Sequence, residues 1–264
     1  MSQDFRFNGA PEELVAWAQD ARARTVELVA DMDDEQIMGP MLPTINPLLW
    51  EMGHCAWFQS YWVLRHAGGQ APVHEDEDVL YDSIAIAHDR RWSLPLPSRG
   101  ETLDYLHEVL RRVVAFVQAE PTGENLYHAL YATLHEDMHT EAITYTRQTL
   151  GYAAPKLSIA PESGHGQLGG GSLPGDAPIP GGTFMLGAER DEPFVFDNEK
   201  WAHPVAIEPF AIGRAAVTQA EFLLFVEEGG YGRREFWQDQ GWNWRAEAQA
   251  AHPVYWRRSD SSWQ

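Results

Sequence analysis

Between residues 153 and 180 the chain abandons the helical spacing of apolar residues that runs through its first half, and this break governs what it can fold into. Pro155, Pro161, Gly164, Gly166, Gly169, Gly170, Gly171, Pro174, Gly175, Pro178 and Pro180 crowd the stretch. Proline removes backbone donors and glycine raises the entropy lost on ordering, so neither a helix nor a strand is expected to run through it. The 264 residues are therefore expected to divide into a helical domain at 1–152, a Gly/Pro-rich linker at 153–178 and a second domain at 179–264. Each domain is long enough to bury a core.

The first part reads as four amphipathic helices. Pro11 stands near the first helical position of the opening one, with Glu12 and Glu13 where the helix dipole favours negative charge. Leu14, Trp17, Ala18, Ala21, Thr25, Leu28 and Val29 then make its apolar stripe. Asn46-Pro47 opens a second helix, which carries Trp50, His54, Trp57, Phe58, Tyr61 and Leu64 and stops at Gly68-Gly69. Ser98 with Glu101 is a capping-box pair for a third helix running to about Ala119. The fourth is expected from about Asn125 to Leu150, with Gly151 just past its end. A long connection separates the second helix from the third, and connections of that length tend to carry function. Four long helices and one crossover predict a four-helix bundle.

In the second part, Gly181 to Gly187 and Val205 to Ile212 are expected strands and Thr218 to Val226 a capped helix. The aromatic stretches around Phe236-Trp237, Gly241-Trp242-Asn243-Trp244 and Tyr255-Trp256 are expected to be loop-rich. The class is α+β, with the helical bundle first.

His135 and His139 lie four residues apart, on one face of the fourth helix. They supply two of the three protein ligands that an open catalytic metal site uses, and His54 on the second helix is the candidate for the third. Histidine pairs at this spacing also occur on helix surfaces and in satisfied cores. Both segments here are long and apolar, where an unpartnered ring is costly. Neutral imidazoles suit iron(II) and leave positions open, although spacing does not separate iron from zinc, nickel or manganese. Glu136, Asp137 and Glu141 flank the pair and are candidates to orient the second ring nitrogens. His128, seven residues before His135, is the spare candidate ligand; His66, His74, His107, His165, His203 and His252 read mostly as surface residues. Cys55 is the only cysteine, which excludes an intrachain disulfide, and beside Ala56 and Trp57 it is expected to be structural.

The formal charge of −20 comes with no basic run able to neutralise successive phosphates, so nucleic acid is excluded as a partner. No uninterrupted apolar run reaches the length of a membrane span, and the start has no signal-type pattern, so a soluble, cytoplasmic protein is expected.

These residues carry a resemblance that covers nearly the whole chain. His54 within Gly53-His54-Cys55-Ala56-Trp57-Phe58, together with His135-Glu136-Asp137-Met138-His139, resembles the iron-binding DinB-like bundle of the ergothioneine-forming sulfoxide synthases. Pro180 to Gly187, Phe196 to Lys200, His203-Pro204, Pro209-Phe210, Val217 to Phe222 and Gly229 to Tyr231 are similar to the start of a formylglycine-generating-enzyme-type domain, the sulfatase-modifying-factor fold. Between the two ligands, where relatives commonly have glutamines, this chain has Asp137-Met138; with Thr140-Glu141-Ala142 and Thr144 to Gln148 after them, this is similar to the selenoneine synthase branch.

The resemblance implies iron(II) on His54, His135 and His139, dioxygen as co-substrate, and a carbon–sulfur or carbon–selenium bond formed at the imidazole of hercynine, Nα-trimethylated histidine. The donor would be a thiol or a selenosugar. Arg91, and beside it Arg90, is expected to meet the donor's polar end; Arg91 matches one of two arginine positions of thiol-using relatives and His88 stands at the other. Trp242, Trp244, Tyr255 and Trp256 are candidates for cation–π contact with the trimethylammonium, or for plain packing. The resemblance also implies a longer second domain, with the catalytic tyrosine beyond Gln264, so this chain is expected to bind metal and turn over little. Two other readings stay open: a metal-dependent thiol transferase on the same type of bundle, and a non-catalytic ligand-binding module with a structural metal.

Overall fold

The computed structural model describes residues 9–159, 173–259 and 262–263. Residues 160–172 of the expected linker, and His165 with them, lie outside the described residues. The described part is α+β and falls into two compact units, one holding 9–159 and 186–202, the other 173–185 and the described residues from 203 on.

Helix α1 (Pro11–Val29) begins at Pro11 as the sequence predicts. A short α2 (Asp34–Met38) follows, closed at its start by a reciprocal cap between Asp33 and Gln36. Helix α3 (Leu48–Gln59) runs on into a π-helical stretch, Ser60–Ala67. The crossover then holds α4 (Glu77–Tyr81) and a 3-10 segment, His88–Ser93. Helix α5 (Arg99–Ala119) starts at the Ser98–Glu101 capping box, and α6 (Gly123–Thr149) starts where the Thr122 hydroxyl accepts from the Asn125 amide. Helices α2 and α4 fall in stretches that read as connections, because five residues are too few for a helical period to show.

Helices α1, α3, α5 and α6 form the bundle, and their stripes meet in a core that includes Leu14, Leu28, Trp50, Met52, Leu106, Val109 and Ile143. Inside that core lies an ion pair that touches all four. Arg22 of α1 donates from Nε to Glu136 Oε1 of α6 at 2.6 Å, and from one Nη to the Leu106 carbonyl of α5. Its other Nη reaches Gln59 Oε1 of α3 at 3.1 Å, and Gln59 in turn donates to Glu136 Oε2 at 2.8 Å. Thr25 adds a hydroxyl donor to Glu136 at 2.9 Å. Arg22 is 2% and Glu136 0% exposed, so every charged atom depends on these partners.

The segment 186–202 also belongs to the bundle's unit, although the sequence reading assigned it to the second domain. Tyr127 of α6 donates its hydroxyl to the Val195 carbonyl at 3.1 Å and stacks on Phe194 at 5.0 Å. Three aromatic rings in an otherwise polar loop carry no period that would have assigned them to a helix bundle.

The described residues from 173 on form three two-stranded ribbons. Strand β1 (Asp176–Ile179) pairs antiparallel with β4 (Phe210–Gly213), with Asp176 opposite Gly213 and Ile179 opposite Phe210. Strand β2 (Gly182–Leu186) pairs with β3 (His203–Ile207). The single strand expected over 205–212 is thus two, with different partners. Pro209 between them has no N–H to continue a ladder. Helix α7 (Gln219–Glu227) has the expected Thr218–Glu221 capping box. The stretch around Trp242 and Trp244, expected to be loop, is helix α8 (Asp239–Glu247), and β5 (Arg258–Ser259) pairs with β6 (Ser262–Trp263). Among the described residues no helix is long and apolar enough to cross a membrane.

Arg22→Ala leaves the Glu136 carboxylate buried without its cation, and is expected to lower stability by about 3–5 kcal/mol. Urea unfolding followed by circular dichroism reads this as a lower midpoint at unchanged slope. A loss below about 1 kcal/mol, the scale of an exposed pair, would show that the ion pair does not hold the bundle.

Candidate metal centre

Helices α3 and α6 bring three imidazoles together. His54, His135 and His139 each offer a ring nitrogen, and these nitrogens all lie within 4.8 Å of one another. Each ring is held differently. His54 uses Nδ1, 2.8 Å from the Tyr81 carbonyl at the end of α4, so the N–H is committed there and the Nε2 lone pair is free to bind. His54 also stacks on Trp50 at 4.7 Å and 11°, and on Trp57 at 5.4 Å and 24°. His139 donates from Nδ1 to a carboxylate oxygen of Glu51, one helix away. His135 lies flat on Phe58, centroids 3.5 Å apart and planes 4° apart, and its Nδ1 is buried without a hydrogen-bond partner among the described residues.

The donor set fits a metal ion. Nε2 of His139 and Nε2 of His135 stand 3.2 Å apart. Two nitrogens bound to one ion at about 2.1 Å keep a separation of about 3.0–3.4 Å. Without an ion, two lone pairs would face each other with one proton at most to share. A divalent cation satisfies both and takes His54 as well. Burial first, then the neighbouring His139, pushes His54 down to about 4, so protonation of that ring does not compete. Burial, with His139 and His54 adding to it, likewise holds His135 well below the ordinary histidine range. Neutral imidazole is the ligand form.

Glu51 is 2% exposed. Burial works to raise its pKa, but the interaction with His139 and the bond from Asn46 outweigh it and hold the carboxyl below its ordinary value. A carboxylate on the outer nitrogen of a ligand histidine fixes the ring and its tautomer. The sequence reading did not single out Glu51. The signal was present: it is the one charged residue in the apolar run from Leu48 to Phe58, three residues before His54.

The three acids that were candidates for this task do other things. Glu136 is spent on Arg22, Thr25 and Gln59, Asp137 pairs with Arg24 at 2.7 Å, and Glu141 is exposed. Adjacent residues on a helix point about 100° apart, so a carboxylate next to a ligand faces away from it. His128 stands outside the cluster; it is buried rather than at the surface, stacked on Trp62 at 5.8 Å with the His66 ring 5.0 Å away. Cys55 is 1% exposed, outside the cluster, and burial pushes its thiol well above the ordinary range.

Of the residues expected at the donor end, Arg91 is joined to the site. Its guanidinium lies 4.0 Å from the centroid of Trp50, the ring that stacks on His54, and it donates to Asn46 Oδ1 at 2.7 Å. Arg90, one residue away, is exposed, and His88 Nε2 is 2.6 Å from the Ile45 carbonyl. In the other unit, the Trp242 ring carries the guanidinium groups of Arg245 and Arg234 at 5.4 and 5.7 Å, while Trp256 packs on Phe222 and Trp263. Trp244 and Tyr255 are 56% and 44% exposed.

His135→Ala and His139→Ala are each expected to lose stoichiometric binding of a divalent ion, measured as metal per chain after gel filtration; one equivalent retained in both counts against the site. Cys55→Ala should keep the metal. Gly53→Ala should weaken binding about tenfold, because an added Cβ runs into the Tyr81 ring, whose residue supplies the carbonyl that holds His54.

Comparison with known proteins finds similarity along most of the chain. The profile of the DinB superfamily matches residues 18–143, and that of the sulfatase-modifying factor enzyme 1-like domain matches residues 168–260. The chain is 32% identical over 256 residues to the hercynine oxygenase of Mycolicibacterium thermoresistibile, an alignment covering 92% of this chain and 54% of that one. With the hercynine oxygenase of Mycobacterium tuberculosis it shares 31% identity over 251 residues, 94% of this chain and 58% of the other. Against the formylglycine-generating enzyme of Thermomonospora curvata it is 43% identical over 53 residues, 20% of this chain and 18% of that enzyme. The chain spans a little over half the length of the hercynine oxygenases it matches. With both profiles in this order and an alignment through nine-tenths of its length, the chain has a DinB-type part followed by a sulfatase-modifying-factor-type part and is similar to the hercynine oxygenases.

Proposed function

We propose that this protein forms a carbon–selenium or carbon–sulfur bond at the imidazole of hercynine, with dioxygen as co-substrate and iron(II) held by His54, His135 and His139. The observation that supports this most is the convergence of three imidazoles inside the part of the chain that aligns with hercynine oxygenases. Bound there, iron(II) would supply one-electron chemistry and coordination positions open to small ligands.

The chain's own residues prepare the site for such an ion. Tyr81 and Glu51 take the outer N–H groups of His54 and His139, so that both rings offer a lone pair inward. Trp50, Trp57 and Phe58 cover the rings of His54 and His135 and keep water from the α3 side. His135 and His139 are only partly buried, which leaves one face of the cluster for substrates. The segment His88–Ser93 is the proposed binding place for the donor. Arg91 has two long contacts, 3.3 Å to the Ser83 carbonyl and 3.5 Å to that of Ile86, which a bound oxyanion or hydroxyl would improve upon. Arg90 is free to reach the same group from solvent, and His88 lines the turn. The compartment proposed for this reaction is the cytoplasm.

Oxygen uptake and product mass, with iron(II), hercynine and either a thiol or a selenosugar, test the reading. Uptake by this chain is expected to be small and to require both hercynine and one donor, and hercynine-independent uptake would overturn the reading. Arg91→Ala should raise the KM for the donor about 10–100-fold, the worth of a charge-assisted hydrogen bond of about 1.5–3 kcal/mol, and leave that for hercynine in place. The reverse pattern would move Arg91 out of the donor site.

A further inference from the structure

We infer that Asn46 and Glu51 are positioning residues that couple the Arg91 turn to the metal ligand His139. The inference rests on the three-histidine metal reading and on nothing said of hercynine.

Four side chains from four places in the sequence form one directed chain. Arg91 Nη1 donates to Asn46 Oδ1 at 2.7 Å, and Asn46 Nδ2 donates to Glu51 Oε1 at 2.6 Å. The other Glu51 oxygen accepts from His139 Nδ1. The polarity is forced at both ends. A guanidinium only donates and a carboxylate only accepts, so the amide between them has one orientation that satisfies both. Glu51 must accept from two sides, from Asn46 and from the ligand ring, and among side chains of this length only a carboxylate does so. Glu51 is 2% exposed, so water does not replace either partner readily.

A second path leads from the same guanidinium to another ligand. Arg91 lies over Trp50, and Trp50 stacks on His54. Arg91 is therefore in touch with two of the three ligand rings, by hydrogen bonds through Asn46 and Glu51 and by stacking through Trp50. Any group that draws the guanidinium toward itself loosens its hold on Asn46. Asn46 then gives Glu51 a different share of its hydrogen bond, and the carboxylate bears differently on His139. The donor strength of the ligand ring follows. The device makes the metal centre responsive to occupancy of the turn 88–93, without contact between the occupant and the ion.

Cobalt(II) is the probe, added to the full chain as wild type, Glu51→Gln, Asn46→Ala, Arg91→Ala and the Asn46→Ala/Arg91→Ala pair. Affinity is read by competition with a chelator and the ligand field by the visible band of the bound ion, while melting of the metal-free forms reports folding separately. Glu51→Gln keeps the shape but turns one accepting end into a donor. It should weaken cobalt binding about 10–100-fold and shift the band. Arg91→Ala should shift the band in the wild-type background and much less once Asn46 is alanine. Wild-type affinity and band in Glu51→Gln would overturn the inference and leave the three-histidine site standing; no cobalt binding by the wild type would overturn both. Equal shifts by Arg91→Ala in the two backgrounds would remove Asn46 as the link, and this comparison decides the matter alone if Glu51→Gln does not fold.

Discussion

Everything near the candidate centre depends on the way the Arg22–Glu136 pair fixes the rotation of α6. Glu136 is fully buried, and its two oxygens are taken by groups from α1 and α3, with Arg22 also tied to the Leu106 carbonyl of α5. A buried carboxylate has one acceptable orientation, toward its cation, because a helix turned by one residue would strand it in hydrocarbon. With Glu136 facing α1, the residues before and three after it, His135 and His139, face α3. The pair thus sets which side of the longest helix looks at His54.

Two glutamates inside this bundle show how neighbours divide one residue type between fold and site. Glu136 meets a guanidinium and two neutral donors and serves the packing of helices. Glu51 meets an imidazole and an amide and serves the cluster. Both are buried and both accept at both oxygens. What separates them is the partner's own freedom. Arg22 spends its other N–H groups on the Leu106 carbonyl and Gln59, within the packing, whereas His139 has a second nitrogen aimed at two more imidazoles. The same contrast explains why Asp137, also beside a histidine, is only a surface partner of Arg24: its direction from the helix carries it away from the cluster.

The helices, their caps and the pair His135 and His139 were legible in the residues, because these features are local. Pro11, the Ser98–Glu101 box and apolar spacing act within a turn or two, and two histidines four apart share a face in any helix. His54 was legible as the lone histidine on an apolar helix, where a ring needs a partner. The pieces that were not legible have no local cause. Strands β3 and β4 divide at Pro209 according to which neighbour each finds, and α8 forms in a stretch whose aromatic content hides its short period.

The sequence by itself determined that this chain makes a helical bundle before a Gly/Pro-rich break, and that three histidines stand on two helices able to face each other. Only the tertiary structure decided that those helices do face, with ring nitrogens inside 4.8 Å, and which groups take their outer N–H. Glu51 rather than Glu136 holds His139, the Tyr81 carbonyl holds His54, and Arg91 reaches the site through Asn46. The physical reason is the range of the forces involved. Periodicity and capping act between residues a few positions apart, whereas a hydrogen bond from α6 to α3 joins residues 88 positions apart and exists only once packing has set the rotation of both helices.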